Sequence, residues 1–139
     1  MKQEDKELLL KDLCSRLPYG VVVKLDEKFG FNKGTRPLVK ELLDLYCVEG
    51  MKPYLRAMSS MTEEEFEKLK EYSGLKYEQL DLASFQNGTH KCLDFYLSEV
   101  PSYVVILVFD WLNAHHFDYR DLILKGLALE APEGMYNED

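Results

Sequence analysis

Val21-Val22-Val23-Lys24-Leu25 is the stretch that separates a mixed fold from an all-helical one. Three consecutive β-branched residues lose side-chain freedom in a helix and fit a pleated strand, and Pro18-Tyr19-Gly20 closes whatever precedes them. A single strand leaves unpaired backbone edges, so it requires a partner elsewhere in the chain. Upstream, residues 4–17 carry Leu9, Leu10, Leu13, Cys14 and Leu17 at helical spacing, with Glu4, Asp5 and Glu7 at the dipole end that favours acids. Downstream, residues 26–37 set Lys28, Gly30, Lys33, Gly34 and Arg36 around Phe29 and Phe31, the composition of a hairpin or extended loop. Residues 38–48 are divided: the first half favours helix and Tyr46-Cys47-Val48 favours strand. The need to pair Val21 tips the balance to a strand ending near Val48.

Further along, Met51-Lys52-Pro53-Tyr54 is extended, because the residue before proline is pushed out of the α region. Thr62-Glu63-Glu64-Glu65 is a capping box, with Met61 and Phe66 at staple positions. It predicts a helix from Glu63 to about Tyr72, stopping near Gly74 and burying Phe66, Leu69 and Tyr72. Residues 75–88 are weakly patterned, Gln86-Asn87-Gly88-Thr89 reads as a turn, and a helical stretch over 90–99 precedes Pro101. Residues 103–115 are apolar nearly all round. Two readings compete, a buried helix throughout or extended chain to about Val108 followed by a helical turn at Trp111 and Leu112, and the second is preferred. Residues 118–126 carry start and stop signals for a two-turn helix: Asp118 as N-cap, Asp121 at N3, Phe117 and Leu122 as staple, and Gly126-Leu127 as a Schellman stop. So short a helix exists only by docking, with Trp111, Leu112, Phe117, Ile123, Leu127 and Leu129 as the docking surface. The expected class is α+β: one small domain, residues 1–139, with three or four helices on a small antiparallel sheet and residues 131–139 a partly disordered tail.

A chain of 139 residues buries a core without disulfides or metals. Cys14, Cys47 and Cys92 form no paired or metal-ligand spacing, and read as reduced, largely buried thiols of a cytoplasmic protein. The first residues lack the apolar region of a signal peptide, and the longest apolar run falls short of the ~20 residues a bilayer needs. Neither membrane insertion nor a cofactor is expected. Charge is split along the chain: residues 1–56 carry eleven Lys and Arg against nine Asp and Glu, residues 57–139 six against sixteen. That acidity argues against a general nucleic-acid binder and leaves only the 24–40 loop for such contact.

Four blocks in order carry a resemblance: Asp12 to Gly20 ending in Leu-Pro-Tyr-Gly; Lys52-Pro53-Tyr54-Leu55-Arg56 with Met58-Ser59-Ser60-Met61-Thr62-Glu63-Glu64-Glu65; Asp110-Trp111-Leu112 with Ala114-His115-His116-Phe117-Asp118-Tyr119-Arg120; and Lys125-Gly126-Leu127-Ala128-Leu129-Glu130-Ala131-Pro132. Together they cover about half of the chain, which resembles an uncharacterised family of small proteins of gut Bacteroidales bacteria and their mobile elements. Ala57 and Asp121 depart from the proline and glycine of that pattern. The resemblance implies a cytoplasmic bacterial or phage-associated protein and carries no activity, cofactor or catalytic residue.

Several groups invite chemistry. Asp110, His115, His116 and Asp118 have the donor types of a Zn, Fe or Mn site. Adjacent helical side chains, however, diverge by ~100°, and Asp118 is expected to cap a helix, so the structural role outweighs a metal. Lys24, Lys28, Lys33, Arg36 and Lys40 with Phe29 and Phe31 match the cation and aromatic mix that single strands use, but Asp26 and Glu27 interrupt it and a solvated hairpin fits better. Ser59-Ser60 lacks a base and shapes a turn. Tyr19, Tyr54, Arg56, Tyr119 and Arg120, with His115 and His116, are the binding candidates, since Tyr and Arg are enriched at hot spots and these lie in turns or near helix starts. The reading that follows is non-enzymatic: an accessory module that binds a protein partner, a basic or nucleic-acid-associated one in particular. The alternative is a small metal-dependent hydrolase with its site near residues 110–120.

Overall fold

The computed structural model describes residues 1–26, 34–43, 48–76, 81–87 and 97–136. Among them the fold is α+β, with four helices and five strands in mixed pairing. The helices are α1 (Gln3–Arg16), α2 (Glu63–Ser73), α3 (Leu82–Gln86) and α4 (Ser102–Ala114). The strands are β1 (Val22–Leu25), β2 (Gly34–Pro37), β3 (Met51–Ala57), β4 (Phe117–Asp118) and β5 (Leu129–Glu130). Residue contacts gather into two compact units, Met1–Leu55 with Leu122–Asp139, and Arg56–Asp121.

In the first unit β1 lies between two antiparallel neighbours, with Val23 opposite Arg36 of β2 and Pro53 of β3. Val21, Val23 and Leu25 alternate inward, which is the burial the sequence pattern predicts. The second partner is not the expected strand ending near Val48: residues 40–42 and 48–50 form 3-10 turns, and residues 44–47 lie outside the described ones. Pro37, which has no N–H for a ladder, ends β2, and β3 is extended from Met51, as the Lys52-Pro53 pair predicts. Residues 27–33 of the hairpin or extended loop expected over 26–37, the strand signal of Tyr46 and Cys47, and Cys92 lie outside the described residues. Cys14, expected inside, is exposed.

α1 ends in a 3-10 turn over Leu17–Tyr19. It buries Leu9 and Leu13, and also Asp12 and Arg16, whose side chains are fully enclosed and joined by a 2.8 Å bond from Nε to Oδ2. Leu122, Leu127 and Ala128 complete the same core. The helix expected over residues 118–126 is absent. Asp118 is spent in β4, opposite Ala57, and Asp121 has φ 59, a left-handed conformation that no helical N3 residue adopts. Its stop signal alone survives: Leu127 donates to the Leu122 carbonyl and Gly126 to Ile123, a Schellman pair around Gly126 at φ 74.

The tail is held as far as Tyr136. Its hydroxyl accepts from the Val22 N–H at 2.9 Å and donates to the Tyr54 carbonyl at 2.7 Å, so one phenol bridges β1 and β3 just past their last ladder pair, Val23 with Pro53. Burial pushes the phenol up to about 12, against the pull of the Val22 bond. Removing that oxygen strands a donor and an acceptor, so Tyr136→Phe is expected to cost about 1–3 kcal/mol. Urea titration checks it; a midpoint equal to wild type would show that water replaces the bridge without loss.

The second unit is built on α2 and α4. Thr62 caps α2 as predicted: its hydroxyl accepts from the Glu65 N–H, the Glu65 carboxylate accepts from the Thr62 N–H, and Gly74 closes the helix in the left-handed region at φ 75. Phe66 and Leu69 enter the core, but the third inward residue is Ser73; Tyr72 points outward. α3, which weak patterning hid, is capped by Asp81, whose carboxylate accepts from the Ser84 N–H. Residues 88–96 lie outside the described ones, and with them nearly all of the helix expected over 90–99; Leu97 to Glu99 forms a turn.

α4 corrects the preferred reading of residues 103–108, which are helical and not extended. Val104, Val108, Trp111 and Leu112 recur at helical spacing and all enter the core, and that shared face outweighs the strand propensity of Val104, Val105 and Ile106. β4 then runs parallel to the end of β3, and β5 parallel to its middle, so the pairing is mixed where an antiparallel sheet is expected. The reason is local: two-residue bridges need only a chain passing in the same direction, not a hairpin. No helix among the described residues is long and apolar enough to cross a membrane.

Candidate functional site

Most residues that the sequence nominates fall in the second unit, around the end of β3 and the turn from α4 to β4. The pairing of Arg56 with Phe117 sets both side chains on one face of the strand pair. The guanidinium lies 4.2 Å from the Phe117 ring centroid and grips the Glu65 carboxylate with both arms, at 2.6 and 2.8 Å. Phe117 in turn stacks with Trp111, centroids 5.9 Å apart and planes 14° from parallel, and Trp111 stacks with His115 at 4.0 Å. One continuous column, His115, Trp111, Phe117, Arg56 and Glu65, therefore joins the end of α4 to the capping box of α2. Its inner members are buried, Trp111 at 5% exposure and Phe117 at 0%.

The Glu65 carboxyl at the end of this column is displaced. Burial pushes its carboxyl up, but the Arg56 bonds and the Thr62 N–H outweigh that and hold it below its ordinary 4.5. Because the folded value is depressed, the associated stability is present above the ordinary value and is lost as pH falls through the folded one. Glu65→Gln is therefore expected to lower stability near neutral pH and to flatten the acid limb of the pH profile. Denaturation midpoints taken at about pH 7 and about pH 3 test this; an acid limb as steep as wild type would exclude Glu65 as its source.

The metal candidates lie on α4, on β4 and in the turn between them. His115 lies on Trp111, the Asp110 carboxylate accepts the Tyr72 hydroxyl at 2.6 Å, and Asp118 is buried within β4. His116 is buried at φ 66, and its carbonyl accepts from the Arg56 N–H at 2.7 Å. Among the described residues no group of three or more His, Cys, Asp or Glu is placed to hold a metal ion. Tyr119, expected at the surface, is 2% exposed: its hydroxyl donates to Asn113 at 2.9 Å, its ring meets Phe109, and the Arg120 guanidinium lies over it. Tyr19 and Tyr54, both in the first unit, are half-buried. Of the basic loop, Lys24, Arg36 and Lys40 are exposed; Lys28, Phe29, Phe31 and Lys33 lie outside the described residues.

What the sequence reading passed over is a second face of α4. Tyr103 and Ile106 are 70% and 67% exposed on a helix that is apolar nearly all round, and Tyr72 of α2 is 49% exposed. Tyr103, Ile106 and Asp110 are spaced i, i+3 and i+7, so they form one stripe, and the Tyr72 to Asp110 bond ties the outer face of α2 to it. The signal was available: once 102–114 is read as a helix, Val104, Val108 and Trp111 claim one face and leave Tyr103 and Ile106 on the other. Compared with family models, with curated proteins and with solved structures, the chain matches none.

Proposed function

We propose that the protein is a binding module for a protein partner, and that its contact surface is the solvent face shared by α2 and α4 in the second unit. The observation that carries the proposal is the exposure of Tyr103 and Ile106 on a helix whose composition is that of a core element. Helices apolar all round are normally covered, and contiguous exposed apolar side chains mark interaction surfaces. Tyrosine, supplied here by Tyr72 and Tyr103, is among the residues that most often dominate binding energy. In this reading Arg56, His115, His116, Tyr119 and Arg120 support the face from within, and the cysteine usage favours a cytoplasmic site of action.

The test is affinity capture from a lysate of the source cells with the wild-type chain and with a Tyr103→Ser, Ile106→Ser double variant. A protein retained by the first and lost from the second supports the reading. Identical recovery on both, or recovery on neither, overturns it.

A further inference from the structure

We propose that Asn87 is a site of spontaneous modification, at which its side-chain amide is lost through attack by the Gly88 nitrogen and by water, and that the carboxylate left behind loosens α3. Asparagine is among the thermolabile side chains. Its amide carbon is attacked by the backbone nitrogen of the next residue most readily where that residue is glycine, with no Cβ to obstruct the approach. Of the four asparagines only Asn87 precedes glycine; Asn32, Asn113 and Asn137 precede lysine, alanine and glutamate. Asn87 is exposed, so water reaches it. A bond forms between the Gly88 nitrogen and Cγ of Asn87 while the Cγ–Nδ2 bond breaks, and the proton of the attacking nitrogen leaves, by way of water, with Nδ2 as ammonia. Water then opens the five-membered imide at either carbonyl, giving aspartate or isoaspartate.

The fold sets the pace of this reaction. Asn87 closes α3, and its Nδ2 donates to the Ala83 carbonyl at 2.9 Å while its backbone N–H donates to the same oxygen at 3.0 Å. Ring closure needs an amide free to rotate onto the following nitrogen, so it waits for the end of α3 to fray. The helix has only five residues, and short terminal turns open at little cost. Once formed, the product cannot re-make the old contact. A carboxylate has no hydrogen to give the Ala83 carbonyl, and it stands at the helix end whose partial charge is already negative. Two contacts of the second unit depend on α3: Phe85, fully buried, lies 5.4 Å from the Phe66 ring, and Gln86 donates to the Met61 carbonyl at 2.8 Å. The modification therefore acts as a one-way timer on this part of the core.

The experiment incubates the full chain in neutral buffer made with water labelled in its oxygen, and follows the peptide spanning Asn87 by mass spectrometry. Expected is loss of the amide nitrogen with uptake of one labelled oxygen, as a mixture of aspartate and isoaspartate. Asp81→Ala removes the carboxylate that accepts from the Ser84 N–H, and is expected to speed the reaction by about twofold to about thirtyfold, the change in helix opening that loss of a cap brings. Asn87→Gln keeps an amide on a longer side chain that cannot close the five-membered ring, and is expected to abolish the uptake. Asn87→Asp carries the charge of the product, and is expected to lower hydrogen-exchange protection of the N–H that donates to Ala83 by about twofold to about fivefold. No uptake at Asn87 in the folded chain, when the same chain in urea takes up the label, overturns the proposal. Uptake that persists in Asn87→Gln overturns the route through the Gly88 nitrogen. An Asp81→Ala rate equal to wild type overturns the gating by α3, and unchanged protection in Asn87→Asp overturns the loosening.

Discussion

Asp12→Ala is expected to destabilise the protein by about 3–5 kcal/mol, since removing one member of a buried ion pair leaves the other charge enclosed. Both side chains are at 0% exposure, and the 2.8 Å bond from Arg16 Nε to Asp12 Oδ2 runs along α1 from one turn to the next. The helix cannot rotate the guanidinium into water, because Leu9 and Leu13 on the same face are themselves fully buried. Folded domains are stable by only about 5–15 kcal/mol, so this single change consumes a large part of the total. Urea denaturation measures it, and a loss below about 1 kcal/mol would show that Arg16 is satisfied without its partner. A paired replacement sharpens the argument. Asp12→Leu with Arg16→Met removes both charges at similar volume, and such exchanges are often neutral or stabilising by about 1–4 kcal/mol. The double variant should therefore recover most of what the single one loses.

This pair also shows where sequence reasoning stopped. Asp12 and Arg16 are spaced i, i+4, which on a helix surface denotes an ordinary solvated pair, and the Leu9 and Leu13 stripe beside them marks an inward face without saying that both charges are enclosed in it. Elements announced by their own residues were legible: the β-branched run at β1, the Lys52-Pro53 extension that became β3, and the Thr62 cap with its Gly74 stop. Where neighbours decide, reading from local signals failed. Residues 103–108 have strand propensity but share a helical core face, and Asp118 has a capping side chain but a backbone committed to Ala57. The candidate site followed the same division. Its nominated residues divide between the units, Tyr19 and Tyr54 in the first and the others in the second, and the burial of Tyr119 and the exposure of Tyr103 and Ile106 depend on which way α4 turns its faces.

Phe117→Ala is expected to cost about 3–5 kcal/mol, the range for deleting an enclosed aromatic ring. Phe117 is fully buried in the core of the second unit, so the cavity left has no route to solvent by simple rotation of a side chain. The loss extends beyond the cavity: the ring is the platform for Arg56 at 4.2 Å and stacks with Trp111 at 5.9 Å. Without it the guanidinium keeps Glu65 but loses the surface that fixes its plane, and the column from α4 to the α2 cap is cut at its middle. A double-mutant cycle of Phe117→Ala with Glu65→Gln separates the two effects. Coupling of about 0.5 kcal/mol or more would place the ion pair and the ring in one network, whereas strictly additive losses would mean that Phe117 contributes through packing alone. Phe117→Leu serves as the conservative control, expected to cost far less than the alanine change because it fills most of the space. Trp111 is the single tryptophan of the chain, so its emission follows this core during unfolding while circular dichroism follows all the helices. If Phe117→Ala leaves the tryptophan transition where it is in wild type, the stacked column is not what holds the second unit together.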